Sequence, residues 1–135
     1  MASNVFINLP DRNLARSTEF FRKAGFQIDP VFTDEDATCL KINKQVSVLL
    51  LEEKRFKSFT TKPVCDAHQS TEVLIAINVS TRNQVDQIIS NAVKAGGTLY
   101  TKPQDFGWMY GHSFADPDGH QWEVVFVDET SRMKP

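Results

Sequence analysis

Several features that commonly reveal a function class are scarce in this sequence. Cys39 and Cys65 are its only cysteines, too few for the disulfide framework of a small secreted protein. With 15 basic and 17 acidic side chains, the net charge is −2, and the basic surplus of a nucleic-acid-binding protein is missing. The apolar runs fall far short of the ~20 residues that cross a membrane, and the N-terminus lacks the pattern of a signal peptide. We therefore expect a cytoplasmic protein with free thiols that binds neither nucleic acid nor membrane.

The common catalytic signatures are also missing. The chain has no Ser-His-Asp nucleophile motif, no P-loop and no glycine fingerprint for dinucleotides, and its cysteines lack the spacing of a zinc site. What it has is the composition of an ordinary folded domain, 41% hydrophobic and 10% aromatic over 135 residues. This length and composition predict a single domain with a substantial core.

The first half of the chain has the pattern of a βαβββ unit. An amphipathic helix follows a short strand, with Asn13 as its N-cap and Gly25 just after its end. The β-type runs before and after this helix predict strands at residues 5–9, 26–32, 37–42 and 46–51. A polar linker follows, with a helical turn expected at residues 53–57.

The second half repeats this order. Thr81 and Gln84 have the spacing of a capping box, and the helix that they open ends before Gly96 and Gly97. Strands are predicted at residues 73–79, 98–101, 111–115 and 121–127. The sequence Lys-Ala-Gly recurs at an offset of 71 residues, and Asn8 recurs as Asn78. These echoes within the same element order indicate an internal duplication.

The order of elements, together with Asp116-Pro117-Asp118-Gly119-His120-Gln121-Trp122-Glu123-Val124, resembles the vicinal oxygen chelate superfamily. That superfamily holds glyoxalase I, extradiol dioxygenases, and fosfomycin and bleomycin resistance proteins. More narrowly, the chain is similar to proteins labelled predicted lactoylglutathione lyases, in Asn8-Leu9-Pro10, Phe32-Thr33-Asp34-Glu35, Ser70-Thr71-Glu72-Val73-Leu74, Ala95-Gly96-Gly97 and Met109-Tyr110-Gly111. The resemblance covers residues 4–128.

The resemblance implies an α+β fold in which two tandem βαβββ units form curved mixed sheets around a cavity. It divides one domain, residues 1–135, into a first unit at about 5–52, a linker at 53–71 and a second unit at about 72–128. The functional site is then expected inside the cavity.

Metal-using members of the superfamily hold a divalent ion with His and Glu side chains from the first and last strands of each unit. The matching positions here carry Phe6, Leu49, Leu74 and Glu123, so one ligand of four is present. We therefore expect no cofactor at this site, although nickel, zinc or iron stays the alternative. His112 is the histidine best placed for a role, whereas His68 and His120 are expected in solvent.

A cavity without metal would be lined by aromatic and small polar side chains. The candidate ligand-binding residues are Phe6, Asn8, Cys39, Leu49, Trp108, Met109, Tyr110, His112, Phe114 and Trp122. The stretch 107–111 fits a pocket wall with aromatic faces, but it equally fits packing over the sheet or at a subunit interface. The alternation of a strand puts Trp122 opposite Glu123, which favours packing for Trp122. Glu123 is the candidate catalytic residue, because a carboxylate in an apolar cavity can act as a general base.

Three functions remain open at this stage. The first is a protein of bleomycin-resistance type that binds a small molecule without metal. The second is a metal-assisted lyase or isomerase of glyoxalase I type with Glu123 as base or ligand, and the third is a dimeric module without a ligand. We also expect a homodimer, with Phe56, Phe59 and residues 108–110 at its contact, because each unit leaves unpaired strand edges.

Overall fold

The structure, a computed structural model, describes residues 1–132, so the last three residues of the predicted domain lie outside its described part. The first unit holds helix α1 (Leu14–Lys23) and strands β1 (Val5–Asp11), β2 (Gln27–Ile28), β3 (Ala37–Lys41) and β4 (Val46–Glu52). The second holds helix α3 (Arg82–Lys94) and strands β5 (Leu74–Val79), β6 (Gln104–Asp105), β7 (Met109–Ala115) and β8 (Gln121–Val127). Two short helices, α2 (Glu53–Lys57) and α4 (Glu129–Arg132), follow the two units.

Each unit forms one four-stranded mixed sheet, in the orders β1-β4-β3-β2 and β5-β8-β7-β6. In both sheets the first strand pairs in parallel with the last strand of its unit, and the other pairs are antiparallel. The duplicated α+β fold predicted from the repeated element order is therefore confirmed. β1 and β5 lie at the ends of their sheets, so each has one edge without a strand beside it among the described residues.

The helix ends follow the sequence signals. The Asn13 side chain accepts a hydrogen bond from the Arg16 N–H at 3.0 Å, and the Thr81 hydroxyl accepts one from the Gln84 N–H at 3.1 Å. The side-chain oxygen of Gln84 in turn accepts a hydrogen bond from the Thr81 N–H, which completes the capping box. Gly25 has φ of +95°, a backbone conformation that residues other than glycine rarely adopt, and it ends α1.

Two predicted strands are wrong in extent. The strand expected at 26–32 pairs only at Gln27 and Ile28, because Pro30 cannot donate to a ladder and begins a 3-10 turn that ends at Phe32. In the run 98–101, only Thr98 forms a bridge, to Ala115, and the edge strand forms later as β6. Pro10 lies inside β1 rather than after it, which an edge strand tolerates.

The helix-covered faces of the two sheets meet in one shared core. Phe20 and Phe21 of α1 contact side chains of the other unit, with 5.9 Å between the ring centroids of Phe20 and Phe114 and 5.2 Å between those of Phe21 and Trp122. Trp122 and Phe114 have no exposed surface. Because these faces pack inward together, the opposite faces of both sheets lie on the outside of the chain; we call them the open faces.

No helix among residues 1–132 is long and apolar enough to span a membrane.

Candidate functional site

The open face of the first sheet carries the candidates that were predicted in unit one. Alternation along the strands places Phe6 beside Ser47, and Asn8 beside Leu49 and Cys39, on this face. The 3-10 turn covers part of it, since the ring of Phe32 contacts that of Phe6 at 5.4 Å between centroids. Cys39 is fully buried, and burial raises the pKa of its thiol. The structure thus brings Phe6, Asn8, Cys39 and Leu49 together.

The open face of the second sheet carries a polar cluster around Glu123. Glu123 has Ala76 of β5 on one side and Ser113 of β7 on the other. The hydroxyl of Ser113 lies close enough to that of Tyr100 to lower the pKa of Tyr100. Desolvation by burial raises the pKa of Tyr100, and the negative charge of Glu123 raises it further. We call these three residues the Tyr100–Ser113–Glu123 cluster.

Four predicted ligand-binding residues lie on the opposite, helix-covered face of this sheet, which differs from the expectation of a common pocket. Phe114 and Trp122 are fully buried in the shared core. The Tyr110 hydroxyl donates to Asp86 of α3 at 2.5 Å, and a ring nitrogen of His112 lies 3.1 Å from the Thr101 carbonyl. The reason is strand alternation, because all four have even numbers in β7 and β8, whereas Ser113 and Glu123 have odd ones.

Met109 is the first residue of β7, and Trp108 directly precedes the strand. Met109 shares the open face with its neighbour Val127 on β8. Trp108 is half-buried and stacks on the exposed ring of Phe106, with 6.5 Å between centroids and an interplanar angle of 24°. This pair forms an aromatic rim beside the open face.

The side chains around Glu123 do not fit the divalent ion that the resemblance implies. Its direct neighbours are Ala76 and Ser113, and the matching row in the first unit is Phe6, Ser47 and Lys41. In the part of the chain that the structure describes, no group of three His, Cys, Asp or Glu residues is placed to hold a metal. The structure shifts the matching by two residues, from Leu74 to Ala76 and from Leu49 to Ser47, and this shift supplies no further His or carboxylate ligand.

His120 lies in a buried polar cluster rather than in solvent, which corrects the prediction. Its Nε2 is 2.7 Å from the Pro10 carbonyl oxygen and 3.5 Å from Asp118. Asp116 accepts from the backbone N–H of Asp118 and of His120 at 3.0 Å, and from Trp122 Nε1 at 3.2 Å. The cluster joins the β7–β8 turn of the second unit to β1 of the first, so its role here is to hold the units together.

The free edge of β1 borders a cavity of about 360 Å³ beneath the linker. The Val5 N–H donates to the Gln45 carbonyl oxygen, so the alternation of a parallel ladder turns the backbone groups of Phe6, Asn8 and Pro10 away from β4. Linker residues cover this edge from Thr60 to Val73, and Asn8 is the predicted site residue that lines the cavity.

Sequence reasoning gave no role to Tyr100, Ser113, Ser47 or Ala76. Ser113, Ser47 and Ala76 are cross-strand neighbours of Glu123 or Phe6, so they could have been found once the strand pairing was known. Tyr100 had no such signal, because it lies outside the strands and approaches the site from the segment before β6.

Comparison with known proteins gives one family. The sequence model of the Glyoxalase/Bleomycin resistance protein/Dioxygenase superfamily matches residues 5–124. A comparison with curated proteins found no match.

Solved structures have the same fold. The chain is similar to hypothetical protein SA1046 from S. aureus, with 27% identity and a TM-score of 0.79 over 94% of this chain and 95% of that one. It is also similar to a glyoxalase-related enzyme from Fulvimarina pelagi, with 23% identity and a TM-score of 0.78 over 93% and 88% of the chains. A bleomycin resistance determinant encoded on the transposon Tn5 is 17% identical, with a TM-score of 0.62 over 93% and 98%.

Proposed function

The chain belongs to the Glyoxalase/Bleomycin resistance protein/Dioxygenase superfamily, and from this premise we propose that it binds a small molecule in a cavity that two copies of the chain complete. The observation that carries the proposal is the outward direction of both open faces. Phe6 is 40% exposed and Leu74 is 53% exposed, although each lies in a strand of a packed sheet. Apolar faces of this kind in a folded protein mark surfaces that bind a ligand or another protein.

A second copy is the partner that suits both faces. β1 and β5 each end a sheet; linker residues cover the edge of β1, so the edge of β5 is the better template for another strand. When the first sheet of one copy adjoins the second sheet of another, Phe6 and Leu49 lie opposite the Tyr100–Ser113–Glu123 cluster. Twofold symmetry then gives two equal cavities in a homodimer.

We propose binding without the divalent ion of metal-using relatives. Phe6 and Ala76 offer no lone pairs, and the hydroxyl of Ser47 is a poor replacement for a carboxylate or an imidazole. Apolar side chains with a few polar groups suit the retention of an organic molecule. The Tn5 relative, a bleomycin resistance determinant by name, is consistent with this kind of function in the superfamily.

The test places a bulky side chain in the proposed cavity. Ala76→Trp adds a large side chain beside Glu123 at an exposed strand position, where aromatic residues are well tolerated. A calorimetric titration with 1-naphthylmethanol is expected to show binding to the native protein. The affinity is expected to fall by about tenfold or more in Ala76→Trp.

Ser90→Trp makes the same change on the exposed face of α3 and is expected to bind like the native protein. Equal affinity in Ala76→Trp, with the dimer retained, would place the ligand elsewhere.

One observation favours a second candidate, a lyase or isomerase of the lactoylglutathione lyase type. The charge of the Glu123 carboxylate acts on the Tyr100 hydroxyl and raises its pKa, and a carboxylate in an apolar cavity can act as a general base. The test is turnover of the hemithioacetal of methylglyoxal and glutathione, with and without added nickel or zinc. Turnover that is lost in Glu123→Gln supports this candidate, whereas no turnover in the native protein supports binding alone.

We keep the cytoplasm as the proposed location. Both cysteines are free thiols, Cys39 buried and Cys65 exposed, as is usual for proteins of a reducing compartment.

A further inference from the structure

Glu123 is a carboxylate without a cationic partner among the described residues. The ion pairs of this part of the chain engage other carboxylates, such as Asp34 with Arg55 at 3.1 Å and Asp105 with Arg82 at 2.7 Å. No ion pair of residues 1–132 includes Glu123. Its polar neighbours, Tyr100 and Ser113, carry hydroxyl groups and no positive charge.

The surroundings of Glu123 make this free charge costly once the cavity closes. Ala76 lies directly beside it, Leu74 lies one step along the same face of β5, and Val125 lies one step along β8. A carboxylate that loses water in such surroundings needs a positive partner or a strong donor. In the proposed cavity, either the ligand or Lys41 on the first sheet of the other copy can supply one.

Building on the proposed function, we infer that the ligand carries a protonated amine beside an apolar body, and that Glu123 binds this amine. An ammonium group can donate to the carboxylate and also to the hydroxyl oxygen of Tyr100. The apolar body then packs on Phe6 and Leu49 of the other copy. A ligand with a carboxylate in the same place is repelled, so the face selects by charge as well as by shape.

The experiment compares three molecules with one ring system: 1-naphthylmethylamine, 1-naphthylmethanol and 1-naphthylacetate. Each is titrated by calorimetry into the native dimer at neutral pH. We expect the amine to bind about tenfold more tightly than the alcohol, as for a charge-assisted hydrogen bond in a dry site, and the acetate to bind most weakly.

Two variants separate the charge of Glu123 from charge in general. Glu123→Gln keeps the shape of the side chain and is expected to bring the amine to within about twofold of the alcohol, while the alcohol binds as before. Glu19→Gln removes the same charge from the exposed face of α1, where Glu19 pairs with Arg22, and is expected to change neither affinity.

The outcomes distinguish this inference from the proposed function. If the alcohol binds but the amine gains nothing, or gains equally in Glu123→Gln, the inference is wrong and the cavity stands. If the amine is preferred only in Lys41→Gln, the inference is also wrong. In that case Lys41 of the second copy is the partner of Glu123 in the native protein. If none of the three molecules binds, the proposed function itself fails.

Discussion

Asp116 occupies the start of the β7–β8 turn, where burial raises the pKa of its carboxyl from the ordinary 3.8 to about 6. The nearby charge of His120 and the hydrogen bond from Trp122 act in the opposite direction but do not outweigh burial. The folded chain therefore holds a proton on Asp116 at a pH where the unfolded chain has released it.

This raised pKa predicts a pH dependence of stability. The contribution of Asp116 to the free energy of unfolding is full below pH 3.8 and is lost as the pH rises to about 6. Asp116→Asn cannot titrate, so the free energy of unfolding of the native protein minus that of the variant should fall between pH 4 and 6 and stay constant above. Urea titrations across this range measure it.

Above pH 6 the variant is still expected to be less stable, by about 2 kcal/mol, because its amide nitrogen would face the Trp122 N–H, donor against donor. A difference that rises with pH, or does not change, would contradict the raised pKa.

At the same scale, the sequence allowed some roles to be predicted and not others. Trp122 and Glu123 are adjacent in a strand, so their side chains point to opposite faces of the sheet. The large apolar ring of Trp122 indicates which face packs in the core. Tyr110 and His112 lie on the helix-covered face, and the sequence of residues 107–111 alone fits a pocket wall and packing over the sheet equally well. His120 was assigned to solvent because a turn in sequence gives no sign that β1 of the other unit packs against it.

At the scale of elements, the β7–β8 turn is fastened to the linker at Gly119. This residue has φ of +91°, and a Cβ atom there would lie 2.9 Å from the backbone N of His68 and from the backbone C of Ala67. Both the conformation and the contact therefore require glycine.

Gly119→Ala should accordingly lower the free energy of unfolding by about 3 kcal/mol, the sum of a strained backbone and an overpacked contact. Gly25→Ala is the matched control, since Gly25 has a similar φ of +95° but nothing within 4 Å of the added Cβ. It should cost about 1 kcal/mol in urea titrations. Equal losses of unfolding free energy in the two variants would mean that the linker moves away from the added methyl group at Gly119 without destabilising the protein.

Element types were more predictable than element lengths. The helices carry their own start and stop signals in Asn13, Thr81 and the glycines, so both were found with their caps. Edge strands lack such signals, because their extent depends on pairing with a neighbour that is distant in sequence, and the second and sixth strands were misjudged for this reason.

At the scale of the whole molecule, the repeat could be predicted but the direction of its faces could not. The shared offsets and the capped helices indicate two equal units. Whether the units meet through their helix-covered faces or through their open faces depends on which apolar side chains fit together. The contact between the rings of Phe21 and Trp122 across the units belongs to the helix-covered faces, and no pattern within one unit records that contact.

This arrangement predicts a homodimer with a contact that differs in part from the one expected from the sequence. Phe59 is 71% exposed and stays available, but Phe56 borders the cavity beneath the linker and Tyr110 is bonded to α3. The open faces and the edge of β5 are the better candidates, since linker residues cover the edge of β1. Sedimentation equilibrium at micromolar concentration is expected to give twice the 15.3 kDa of one chain.

Leu74→Asp tests the surface as well as the stoichiometry. Leu74 is 53% exposed on the open face of β5, so an aspartate costs the single chain little, whereas in a closed dimer it buries an unpaired charge. We expect dimer dissociation to rise by about a hundredfold. Val93→Asp, at a 45% exposed valine on α3, is the matched control and should leave the dimer intact. A native chain that sediments at 15.3 kDa would refute the dimer, and a Leu74→Asp protein that dimerises like the native one would move the contact away from the open faces.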